Sequence, residues 1–306
     1  MMASSDPAAG ELSPPGEAEA ALERILRSTA PAPAEVRRRP NRRRVVVGLA
    51  SAAAVSAVAA ALLVLPGGSG SAVAATPALL AYHLTPEQAS TDATTQILQI
   101  ARAARSAGET PTAPFGLHWQ EWSLNTRDDH GNISSRVIPY DYEILDSPTG
   151  PVRERRSLGG SDKTRTDPFR PTLQDISTPQ DGQTLKDWLR RRTPGIDGPL
   201  GTSQAVHDLL VERALTAGQR AAVLELIASL PGIETTGTVT DRAGRPGTAY
   251  SATSKESGLP TRYTFIIDPA TGSVLAQEAT LTETAGMLNV PIPSVTSYNV
   301  YLDRAR

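Results

Sequence analysis

Trp119, Trp122, Tyr140 and Tyr142 are the residues whose types and spacing most invite a binding chemistry. They gather four of the chain's 13 aromatic side chains into one short stretch. In extended backbone Tyr140 and Tyr142 share a face, whereas Trp119 and Trp122, three apart, point to opposite sides unless a bulge intervenes. One Trp is then expected in the core and the other exposed. The set reads either as ordinary core packing or as a groove for an apolar ligand or peptide. Groups for catalysis are harder to assemble. His83, His118, His130 and His207 lack the pairwise spacing that a metal site prefers. The absence of cysteine excludes disulfides, thiolate metal sites, Fe–S clusters and cysteine nucleophiles. There is no G-x-S-x-G elbow, no P-loop and no G-x-G-x-x-G after a strand. Asp128, Asp129 and Asn132 concentrate oxygens, but without the alternating acidic pattern of a calcium loop they suit a hairpin turn better. Arg190, Arg191 and Arg192 close a helix, where they meet its dipole; an anion site is the second reading. No catalytic activity, cofactor or metal is therefore expected.

The elements that position these residues follow from periodicity. Leu117–Leu124, Arg136–Leu145 and Val152–Leu158 read as strands, the second with Ile138, Tyr140, Tyr142 and Ile144 alternating with polar positions. Thr85 and Pro86 open a helical stretch that runs through Ile97, Leu98, Ile100, Ala101 and Ala104 to Gly108. Thr184 begins a short helix carrying Leu185, Trp188 and Leu189, and Ser203 begins another with Val206, Leu209 and Leu210. Thr216-Ala-Gly-Gln219 is a capping box for a third, with Val223, Leu226, Ile227 and Leu230 following until Pro231. The last 75 residues read as an antiparallel meander: Thr238–Asp241, Gly247–Thr253, Arg262–Asp268, Ser273–Leu281 and Ser297–Leu302. Helices grouped between blocks of strands predict an α+β class with helices packed on an antiparallel sheet.

Ahead of this domain, Val45 to Leu65 runs 21 residues without a charge, about 31 Å of helix and enough to cross a bilayer core of about 30 Å. Arg37, Arg38, Arg39, Arg42, Arg43 and Arg44 precede the run and an uncharged PGGSGS follows it, so residues 1–44 are expected in the cytoplasm and the rest outside. Ala72-Val73-Ala74 fits a small-residue cleavage pattern, but the apolar run exceeds the roughly 7–15 residues of a signal peptide. A retained anchor is the reading. The expected organisation is a cytoplasmic tail over 1–44, a transmembrane helix over 45–65, a linker over 66–81 and an extracytoplasmic α+β domain over 82–306. Within the mostly disordered tail, Glu17–Ser28 places Ala18, Leu22, Ile25 and Leu26 on one stripe, either a solvated leader or a docking helix for a cytoplasmic protein. Eight arginines and six acidic residues precede position 67, so the outer part holds 22 basic and 26 acidic residues. No nucleic-acid partner is expected of so balanced a chain.

The blocks TLKDWLRRR at 184–192, HDLLVERALTAGQRAAVLELIASLPGI at 207–233, TDRAGRPGTAY at 240–250 and IIDPATGSVLAQE ending at Glu278 follow an Arg-rich stretch and an Ala/Val span. In that order the chain resembles an actinobacterial family of single-pass membrane proteins of unknown function, often encoded beside extracytoplasmic-function sigma factors. The resemblance implies a role near sigma-factor control, as a sensor or anti-sigma partner. The Pro/Ala-rich tail lacks the His/Cys zinc motif of many anti-sigma domains, which argues against direct sigma binding. The expected function is an anchored extracytoplasmic binding or sensing protein with an unknown envelope ligand. The alternative is an envelope carrier or structural protein without signalling, secreted if the span is cleaved after Ala74.

Overall fold

Two side-chain caps, seven residues apart, set the start of the folded part. A computed structural model describes residues 76–108, 116–129, 132–145, 152–158, 161–167 and 178–302. Thr85 caps α1 (Pro86–Ser90) through a capping box with Gln88, and Asp92 caps α2 (Ala93–Ser106) by accepting the Thr95 N–H at 2.9 Å. The single helix expected from Thr85 to Gly108 is therefore two. Thr91 is extended between them, because a strong N-cap such as Asp92 starts a new helix rather than continuing an old one. Gln96 Nε2 donates to the carbonyls of Gln88 and Thr91, at 2.8 Å each, and ties the break together.

The other helices are α3 (Gly182–Arg190), α4 (Pro199–Glu212) and α5 (Ala217–Ala228). Two begin earlier than the periodicity suggested. Asp181 caps α3 by accepting the Thr184 N–H, so Thr184 is the cap's donor and not the helix start. α4 starts at Pro199, four residues before Ser203, with Pro preset for a first helical turn. Its Gly198 N-cap offers no side chain; the Glu256 carboxylate takes the Leu200 N–H instead, at 3.0 Å. α5 carries the expected Thr216–Gln219 capping box. It buries Ala217, Ala221, Val223, Leu224, Leu226 and Ile227, on all sides, since it packs against α2, α3 and α4.

Among the described residues nine strands form one sheet: β1 (Gly116–Asp129), β2 (Asn132–Leu145), β3 (Val152–Leu158), β4 (Ser161–Asp167), β5 (Glu234–Thr240), β6 (Pro246–Ser254), β7 (Thr261–Ile267), β8 (Val274–Leu281) and β9 (Ser294–Leu302). Their order is β4-β3-β2-β1-β9-β8-β7-β6-β5. Two meanders, β1 to β4 and β5 to β9, thus join where the last strand pairs antiparallel with the first, Trp119 opposite Tyr301. The chain is α+β, with helices packed on an antiparallel sheet. β4, whose sequence SDKTRTD has no apolar alternation, is a strand that periodicity does not reveal. These residues belong to one compact unit, Val58–Leu158 with Asp162–Arg306, apart from Ser161.

The sheet has two buried faces. On one, Tyr250, Ala252, Phe265, Ile267 and Val274 meet the helices. On the other, Val239, Ala249, Ile266, Leu275, Ala276 and Val300 are covered by Leu80 and Tyr82. That cover is a strap over 76–84, held by paired backbone bonds between His83 and Thr238 at 2.9 and 3.0 Å. Gly237 has φ of 120°, and a Cβ there would lie 2.6 Å from the His83 carbonyl, so only glycine admits the strap this closely. Within the stretch expected as a linker over 66–81, the Thr76 hydroxyl lies 3.3 Å from that of Ser294 and Leu80 packs on the sheet. The tail over 1–44 with Glu17–Ser28, the span Val45–Leu65 and Ala74 lie outside the described residues. Among the described residues no helix is long and apolar enough to cross a membrane.

Candidate functional site

The four aromatic residues divide between the two faces. Trp119 stacks on Tyr142 with centroids 4.8 Å apart, on the helix side with Leu117, Ile144, Val211 and Tyr301. Tyr140 joins Tyr142 at 5.6 Å, and the Arg156 guanidinium sits 4.3 Å over the Tyr140 ring. Trp122 stacks on Tyr298 on the strap side, 6.0 Å apart. The three-residue spacing thus separates the tryptophans as expected, but neither is exposed: each retains 7% of its surface. Trp122 is covered where β9 pairs with β1 and lays Tyr298 on its ring, a neighbour that a two-strand reading leaves out. Trp119, Tyr140 and Tyr142 share a face; Trp122 does not belong with them.

Other expected groups are structural. His83 sits in the strap, His118 on β1 binds Asp141 at 2.8 Å, and His207 is on α4. His130 lies outside the described residues. Among the described residues no three His, Asp or Glu are grouped to hold a metal. The β1–β2 ladder closes at Asp129 opposite Asn132, as a hairpin requires. Arg190 is held by Asp187 and Asp197 and Arg192 by Glu212, so these two guanidinium groups already have carboxylate partners.

A cleft of about 350 Å³ opens between α4 and strands β7, β8 and β9. α4 supplies Leu200, Ser203 and His207, spaced so that Ser203 and His207 lie one turn apart on one face. The sheet supplies Thr261 and Tyr263 from β7, Gln277 and Ala279 from β8, and Ser297 and Asn299 from β9. Gln277 stands directly opposite Phe265 on one side and Asn299 on the other. It is 2% exposed. Its Oε1 accepts from the Ser203 hydroxyl at 3.2 Å, while its Nε2 and the Asn299 Oδ1 are buried without partners. Among the residues lining the cleft only Glu278 carries a charge at neutral pH. Strand alternation sends its carboxylate to the other face, where it meets Arg242 Nε at 2.6 Å. Beyond the cleft Asn299 faces Glu121 of β1, whose half-buried carboxyl is raised by desolvation against a lowering pull from Arg156.

His207 is neutral at physiological pH. Desolvation lowers its pKa from 6.5 to about 4, and Nδ1 lies 3.1 Å from the Tyr301 hydroxyl. Tyr301 is itself held well above 10, because burial and the neighbouring Glu121 and Asp208 oppose its ionisation. The stability linkage has a definite sign. Between pH 6.5 and 4 the unfolded chain binds a proton at His207 that the folded chain refuses, so folding weakens as pH falls through this window. With partial exposure discounted, the effect is about 1–2 kcal/mol. His207→Asn keeps a bond to Tyr301 and cannot titrate. The stability of His207→Asn relative to the native chain is expected to rise by that amount from pH 7 to 4.5 in thermal unfolding. A difference independent of pH refutes the neutral buried imidazole.

The only sequence signal for Gln277 is that it ends the apolar run VLA inside the strand VLAQEATL, where Glu278 and Thr280 are polar as well. Asn299, Ser203 and His207 carry no sequence signal that ties them to it. No protein-family profile, curated protein or solved structure matches this chain.

Proposed function

We propose that this chain is a single-pass membrane protein, anchored by Val45–Leu65, whose extracytoplasmic domain binds a small envelope ligand in the cleft beneath α4. The supporting observation is the floor of that cleft, where Gln277 and Asn299 hold polar atoms that no protein group satisfies. Buried polar atoms are almost always paired, and exceptions call for a ligand or water. Binding is favoured over catalysis by the state of the α4 pair. Ser203 donates to Gln277 rather than to a base, and an imidazole whose pKa is about 4 is a poor general base at neutral pH. A lipid-carrier role is less favoured, since an acyl chain would bury those amides unpaired. The family resemblance extends the proposal to sensing near sigma-factor control, with Glu17–Ser28 as the docking helix on the cytoplasmic side.

The lack of native cysteine makes the topology directly testable. In intact host cells whose outer layers admit the reagent, a membrane-impermeant maleimide should label Met287→Cys, at a side chain 77% exposed, and should label Ser4→Cys only after lysis. The reverse pattern overturns the orientation. For the cleft, native mass spectrometry of the full chain, extracted mildly from membranes, should find a small molecule that Ala279→Phe lacks. Equal retention by Ala279→Phe places the ligand elsewhere.

A further inference from the structure

We infer that the cleft takes a small uncharged ligand carrying a primary carboxamide or lactam group, received by Gln277 and Asn299. This rests on the binding reading above and names its ligand class. Gln277 Nε2 is a donor without an acceptor, and Asn299 Oδ1 is an acceptor without a donor. The two residues are direct cross-strand partners, so their Cβ atoms stand about 4.5–5.5 Å apart on one face. A primary carboxamide or lactam presents its C=O and N–H side by side on one edge, and that edge is the complement of the pair: its oxygen accepts from Nε2 and its N–H donates to Oδ1. Both atoms are shielded from water. Engagement therefore requires the Gln277 end group to rotate, which gives up the bond it accepts from Ser203 for one amide bond at Nε2 and one at Asn299 Oδ1.

Charge and shape narrow the class further. The one charged residue of the lining, Glu278, is turned to Arg242 on the far face, and His207 is neutral. A carboxylate ligand would enter with no countercharge and would approach the Glu121 carboxyl opposite Asn299, which a semi-enclosed site of this kind penalises heavily. Leu200, Leu259, Leu281 and Leu288 supply apolar wall for an aliphatic body, and the volume of about 350 Å³ admits only a small molecule.

The test uses full-length protein in detergent with N-acetyl-leucinamide as the neutral amide probe and N-acetyl-leucine as its carboxylate counterpart, titrated by calorimetry. The amide should bind at least ten-fold more tightly than the carboxylate. Gln277→Met and Asn299→Leu should each weaken amide binding ten-fold or more while remaining cooperatively folded, since each removes an unsatisfied polar atom and Gln277→Met gives up only the bond from Ser203 besides. Ala279→Phe should abolish binding. Equal affinity for the two probes, no binding of either, or full amide binding by Gln277→Met overturns the carboxamide assignment. Unchanged binding by Ala279→Phe instead overturns the cleft as the binding site, and the two failures are thereby distinguished.

Discussion

Arg245→Met is expected to lower the unfolding free energy by about 3–5 kcal/mol, the scale of breaking one side of a buried ion pair. Asp241 has no exposed side-chain surface. Its Oδ2 accepts from Arg245 Nε at 2.8 Å and Nη2 at 2.6 Å, and its Oδ1 accepts the N–H groups of Ala243 and Arg245. The same guanidinium reaches two other strands, donating to the Leu275 carbonyl of β8 at 2.9 Å and the Tyr301 carbonyl of β9 at 2.6 Å. One side chain thus clamps the β5–β6 turn to the sheet near the junction of the two meanders. Methionine retains the bulk but leaves Asp241 charged and unpaired, with two carbonyls short of a donor. For a domain of this size the thermal midpoint should fall by roughly 10 °C or more. Adding Asp241→Asn should recover part of the loss, because the stranded charge is then removed. A loss under about 1 kcal/mol for Arg245→Met would show that water replaces the clamp and that the site is not a buried pair.

The second large effect is on the strap face. Glu278 retains 2% of its side-chain surface and bonds Arg242 Nε at 2.6 Å. Arg242 also donates to the Ala78 carbonyl of the strap at 3.0 Å and lies 4.7 Å over the Tyr298 ring that stacks on Trp122. Burial raises the Glu278 pKa and Arg242 pulls it back down. An acid whose folded pKa is raised destabilises the fold as pH climbs through that pKa, because the folded state must then hold the charge. Arg242→Met removes the largest opposing pull. It should therefore cost about 3 kcal/mol at pH 7, with a smaller deficit at pH 5, because acidification favours the neutral form of a carboxyl whose pKa burial raises. Glu278→Gln in the same chain should restore at least half of the loss at pH 7 and abolish its pH dependence. Thermal unfolding of the native chain and the two variants at both pH values decides the point. A deficit that grows on acidification would refute the account.

Both clamps lie in stretches where short-range reasoning worked well. Thr216 and Gln219 meet as a reciprocal cap because four consecutive residues suffice to build one. Asp268 to Ser273 closes the β7–β8 hairpin through local bonds, with Gly272 at φ 69°. The alternation of Tyr140 and Tyr142 placed them on one face for the same reason: strand period is a property of the backbone alone. Failures arose where two local signals competed or where none existed. Asp92 interrupts a helical pattern that Ile97 and Ala101 otherwise extend. Ser203 looks like a helix start because its hydroxyl suits a cap, yet Pro199 and the distant Glu256 begin α4 one turn earlier.

The candidate site divides in the same way. Gln277 follows the apolar run Val274-Leu275-Ala276 in a strand that also carries Glu278 and Thr280, so the sequence marks it weakly and its neighbours depend on register. Asn299 is 22 residues further along, and it stands opposite Gln277 only because a bulge between Ala279 and Thr280 adjusts the β8–β9 ladder. Ser203 and His207 reach the cleft only because α4 crosses that part of the sheet. From sequence alone came the class of the fold, the terminal meander, the helix caps at Thr85 and Thr216 and the opposite facing of the tryptophans, all properties of a few adjacent residues. Tertiary structure alone decided that β9 joins β1, that the second tryptophan is buried against Tyr298 of β9, and that two amides from different strands share one cleft. Each of those depends on contacts between residues far apart in the chain, and local propensity carries no information about which distant partner a strand will meet.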